Sequence, residues 1–195
     1  MRNEQFEALA HSHTLIAVGL GAVVATLSTF AATIFERSIL RRERERDAAV
    51  MFAELLHTLK RYLDMSHDAY GRGDPFGPFT VRMLRAVRRE VDIYDRNRET
   101  LFLLRDGALR LETHAAMARV TFGLERVLEL TDVLAGGGDS EPARSELMEA
   151  RKLSYEFLTE SAAEIPGLAT KLSVLAKYEL APLGPTSPTA ATTPD

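Results

Sequence analysis

Apolar residues recur along this chain at helical spacing in four stretches, and one further stretch, rich in Ala, Thr and Gly, runs without a charge. This uncharged run, residues 14–35, is 22 residues long. At about 1.5 Å per residue, a helix of that length spans roughly 33 Å, enough for a bilayer's hydrocarbon core. A cleaved signal peptide would start basic, carry a shorter apolar core and end at small residues. Here the first 13 residues carry Arg2 but also Glu4 and Glu7, so the run predicts a retained transmembrane helix, with cleavage after Ala31 as the competing reading. Arg37, Arg41, Arg42, Arg44 and Arg46 follow the run closely and only Arg2 precedes it. By the positive-inside rule the chain after the span is then cytoplasmic and the N-terminus lies outside.

No Pro or Gly interrupts residues 36–70, so the spanning helix is expected to continue. Ala48, Met51, Phe52, Leu55, Leu59, Tyr62 and Leu63 fall on one face of it at 100° per residue. The Gly- and Pro-rich stretch 71–78 breaks the pattern. A second helix is predicted from about Thr80, with Met83, Leu84, Val87, Val91 and Tyr94 on one side and Arg82, Arg85, Arg89 and Arg96 on the other. Asp95 and Asn97 are the residues suited to cap a short helical piece reaching Leu104. A third helix, predicted over 107–135, carries two apolar stripes. One is Leu109, Ala116, Val120, Leu124, Val127 and Leu134; the other is Leu111, Ala115, Ala118, Phe122 and Val133. A helix apolar on two sides is central in its domain or shared with a partner.

Ser140-Glu141-Pro142 is an N-terminal signal for a fourth helix. Its expected core face is Ala143, Leu147, Ala150, Ser154, Phe157, Leu158, Ser161 and Ile165, with a kink or end at Pro166-Gly167. Leu168, Leu172 and Leu175 continue the pattern to about Leu180. The pattern predicts an all-α chain of four parts: a short extracytoplasmic N-terminus (1–13), a transmembrane helix (14–35), a cytoplasmic antiparallel bundle of about four helices (36–181) and a disordered Pro/Thr-rich tail (182–195).

Composition narrows the chemistry. The net charge of −4 offers no footprint for nucleic acid, and none is expected as a partner. Cysteine is absent, which removes disulfides, thiolate nucleophiles and thiolate metal sites. Arginine outnumbers lysine 20 to 4, a bias of GC-rich bacterial genomes, so the expected location is a bacterial inner membrane. Glu54 and His57 have the Glu-x-x-His spacing of di-iron bundles, and Asp64 and His67 repeat it. A dinuclear site needs inward-pointing ligands from several helices. His57 lies about 180° from the apolar face of its helix, and both pairs share that helix, so no metal, cofactor or catalytic residue is expected. Glu112 and His114 have no evident partner, and Gly136-Gly137-Gly138 lacks the lysine and Ser/Thr of a phosphate loop.

Two features suit association. The Arg82, Arg85, Arg89 and Arg96 stripe would attract anionic headgroups or an acidic partner if it is more than a solvated face. Within the span, Ala17, Gly21, Ala25, Ser28 and Ala32 form a small-residue stripe that allows close approach of a second helix.

The stretch Val91-Asp92-Ile93-Tyr94-Asp95-Arg96-Asn97, followed by Leu101-Phe102-Leu103-Leu104, resembles a motif in a loose group of uncharacterised bacterial single-span membrane proteins. In those proteins Tyr-Asp, a few residues and Leu-Gly-Leu-Leu lead into a long helix; here Phe102 takes the glycine's place. The resemblance implies the anchor-plus-bundle architecture and carries no activity. The expected function is a non-enzymatic, membrane-tethered interaction or scaffold module, with the bilayer and a second copy or another protein as partners. Leu111, Phe122 and Val133 are its expected contact residues, beside the arginine stripe. The alternatives are an enzyme with a site built from dispersed residues and a membrane-disrupting effector acting through anchor oligomerisation.

Overall fold

The computed structural model describes residues 2–137, 141–178 and 180, with side chains from Ser28 onward. Every regular element among them is helical: α1 (Arg2–Gly71), α2 (Pro78–Asn97), a 3₁₀ turn (Arg98–Leu103), α3 (Gly107–Gly136), α4 (Glu141–Ser161), a short 3₁₀ turn (Ala162–Glu164) and α5 (Ile165–Ala176). Helix ends follow local chemistry. Pro78 opens α2, where its missing N–H costs nothing. The Asp106 carboxylate caps α3 by accepting from the N–H groups of Ala108 and Leu109 at 2.9 and 3.0 Å. Gly137, in the left-handed region at φ 63°, closes α3. Asn97 behaves differently from expectation: its side chain donates backward to the Ile93 carbonyl at 2.8 Å and makes no cap bond. The piece it precedes is a 3₁₀ turn.

The chain divides into two compact units, Met1–Arg44 and Glu45–Asp195. In the first, Phe30, Ile34, Phe35, Ile39 and Leu40 are exposed, as are Ser28 and Ala32 of the small-residue stripe. Among the described residues no helix is long and apolar enough to cross a membrane. Residues 14–27 of the predicted span, with Ala17, Gly21 and Ala25, lie outside the described side chains, as do the Ser140 cap and the 182–195 tail.

The second unit holds one apolar core. From α1 it takes Ala48, Ala49, Phe52, Ala53, Leu55, Leu56, Leu59 and Leu63. This face is broader than the periodicity predicts, since Ala49, Ala53 and Leu56 are buried as well. Leu84, Val87, Val91 and Tyr94 enter from α2, and Leu109, Ala116, Val120, Leu124 and Val127 from α3. The fourth face is corrected. Phe157 is 40% exposed, whereas Tyr155, outside the predicted face, is buried with Leu158 and Ile165. The reason is a close approach of α3 and α4 at Gly123. A Cβ there would sit 3.1 Å from the Leu158 Cα and 3.1 Å from the Phe157 ring. The Phe157 ring forms the outer edge of this contact, which leaves 40% of it exposed.

Tyr155 packs instead with the last turns of α1 and the loop after it. Its ring stacks on Tyr70 at 4.7 Å and meets Phe76 edge-on at 5.6 Å, and its hydroxyl lies 3.3 Å from Ser66 Oγ. Phe76 adopts φ 61°, a left-handed conformation that costs a bulky residue on the order of 1–3 kcal/mol. The two tyrosines and the Arg151 guanidinium, 3.9 Å over its ring, hold it there.

Candidate functional site

Tyr94 closes the buried side of α2, and its hydroxyl lies 2.7 Å from His114 Nδ1 on α3. Burial, with Asp95 nearby, pushes the Tyr94 phenol up to about 12. The hydroxyl therefore keeps its proton at neutral pH and shares a hydrogen bond with Nδ1, which leaves Nε2 as the ring nitrogen outside this contact. His114 has no partner legible along the chain, because nothing in a linear pattern pairs positions twenty residues apart on separate helices. Folding stability should fall as pH rises from about 10 to about 12, since the native state holds the phenolic proton that the unfolded chain releases near 10. A Tyr94→Phe variant should lose that component, while burial of Tyr155, whose phenol is also raised, leaves a smaller one. An identical alkaline unfolding profile in the variant would contradict the assignment.

The turn that follows Tyr94 builds a groove. Leu101 and Leu104 are buried, while Phe102 is 77% exposed. Between this turn and the start of α3 lies a cavity of about 530 Å³ walled by Leu101, Phe102 and Leu111. Arg98, Glu99, Gly107, Arg110 and His114 complete its lining. The Arg110 guanidinium donates to the Leu104 carbonyl at 3.0 Å, which fixes its position across the turn. The stretch bearing the Tyr-Asp and Leu-Leu pattern thus contributes one side of this groove. Phe102, at the position where the similar motif has glycine, supplies its most exposed apolar wall.

The second apolar stripe of α3 lies on the surface. Leu111 is 69% exposed, Phe122 68% and Val133 46%. Phe122 meets Phe157 edge-on at 6.0 Å, so the stripe widens onto α4. Ion pairs flank its N-terminal half, Arg119 with Glu164 and Lys171 with Glu112. The α2 arginines are exposed but differ in occupation. Arg85 pairs with Asp132 at 3.2 Å, and Arg96 Nε donates to the Asp92 carbonyl of its own helix. Arg82 and Arg89 have no ion pair among the described residues. Periodicity places these four on one face but is blind to Asp132, which comes from α3.

Glu54 is exposed and accepts a hydrogen bond from the Tyr178 hydroxyl; His57 is half-buried on the same helix. Among the described residues no three His, Asp or Glu side chains gather as a metal site would require. No known family matches the chain, and neither a curated protein nor a solved structure matches it.

Proposed function

We propose that this protein is a membrane-tethered helical interaction module that associates with a second copy of itself through the outer stripe of α3. The exposed Leu111, Phe122 and Val133 carry the reading. Burying apolar surface contributes about 25 cal/mol per Å², and a row containing a Phe with Phe157 alongside is an adhesive patch in water. The ions beside it are of both signs and already paired within the chain. No net charge along this edge demands an oppositely charged partner, which suits a like surface. The tether rests on the 22-residue uncharged run and the arginines after it. Confining two copies to one plane raises the effective concentration of the second contact.

Topology and association are separately testable. A C-terminal β-galactosidase fusion should be active and an alkaline phosphatase fusion inactive; the reverse pattern would overturn the orientation. Crosslinking in membranes at low expression should give dimers, reduced by Phe122→Glu and by Gly21→Leu. Both substitutions fall outside the buried core of the second unit, so thermal stability of that unit should change little. A wild type that stays monomeric in membranes would remove the association reading.

A further inference from the structure

We propose that the groove between the Arg98–Leu103 turn and α3 is a binding site for a monocarboxylate bearing an apolar tail, a medium-chain fatty acid being the simplest member. Its size of about 530 Å³ falls within the range of small-molecule sites. Three apolar walls, Leu101, Phe102 and Leu111, define the tail's environment, and two of them are left largely exposed when the groove is empty. Exposed walls around a concave space gain by covering, whereas a polar ligand would leave them wet.

The charged groups select the head. Arg98 has no hydrogen bond or ion pair among the described residues. Arg110 uses one NH on the Leu104 carbonyl and retains further donors in its planar fork. Tyr94 engages Nδ1 of His114, so the ring nitrogen left to meet a ligand is Nε2. These groups can all donate to a carboxylate, and hydrogen bonds to a charged acceptor are the stronger kind. Glu99 sets the limit: the two guanidiniums against its one carboxylate leave a single excess positive charge among these three groups. That balance matches a monoanion, and a phosphate dianion would meet Glu99 without full compensation.

The test uses the purified full-length chain in lipid nanodiscs, with octanoate, octanol and octyl phosphate as probes and the His114 and Phe102 NMR signals as readout. Octanoate should shift both signals saturably, and octanol, lacking the charge, should bind about tenfold more weakly. Arg98→Gln and Phe102→Ser, both at exposed positions, should each weaken octanoate by about five- to tenfold without altering the fold. Non-saturable shifts, or variants that respond to octanoate as the wild type does, would mean partition into lipid and overturn the site. Equal affinity for octanol would overturn the role of the guanidiniums, and tighter binding of octyl phosphate would overturn the monoanion argument. Leu111 belongs to both the groove and the α3 stripe, so the titration is repeated in Phe122→Glu, outside the groove lining, where the same octanoate affinity is expected.

Discussion

Replacing Phe52 by alanine is expected to destabilise the second unit by about 3–5 kcal/mol, the range for deleting a buried aromatic ring. Phe52 is fully buried on α1 and meets the Tyr94 ring edge-on at 6.0 Å. Truncation removes that contact and leaves a cavity that helices pinned on several sides cannot close. Part of the loss would reach the groove, because Tyr94 positions His114. Phe157→Ala is the comparison, since the same atoms leave a site that is 40% exposed and the cost should be well under half as large. Urea unfolding of both variants decides it. Equal losses would show that Phe157 is as deeply packed as Phe52 and that the packing of α4 described above is incorrect.

Gly123→Leu is the second large effect, expected to cost about 1–3 kcal/mol or more through overpacking. The nearest obstacle is the Leu158 Cα at 3.1 Å, and backbone cannot swing aside as a side chain can. Gly123→Ala separates this contact from helix propensity. Alanine in a helix interior is favoured over glycine by about 0.8–1.0 kcal/mol, so an unobstructed site would gain stability. Here the gain should be cancelled by the contact, and a clear rise in melting temperature for the alanine variant would refute the close approach. The leucine variant should also disturb association, because pushing α4 away separates Phe157 from Phe122.

Helical class was legible throughout, since 3.6-residue periodicity and the Gly- and Pro-rich breaks are local properties. The faces of α1, α2 and α3 were legible for the same reason. Leu55, Val87 and Val120 are buried as their spacing requires. The fourth face was misread because Gly123 has no side chain to register in a hydrophobic pattern, yet its absence of a Cβ decides how α4 sits. Tyr155 was missed because its burial depends on Tyr70 at the end of α1 and on Phe76 in the loop after it, whose left-handed conformation no periodicity announces.

The sequence alone determined the amphipathic helices, the long uncharged run and its flanking arginines, and the presence of a second apolar stripe on α3. Only the tertiary structure decided that this stripe is left on the surface of the second unit, that Asp132 neutralises Arg85, and that Tyr94 and His114 meet beside a groove. The division has one physical cause. Helical periodicity arises from bonds between residues four apart, so it can be read along the chain. Contacts between helices depend on the small volumes at crossing points and on the turns between them, and those become definite only when the backbones pack.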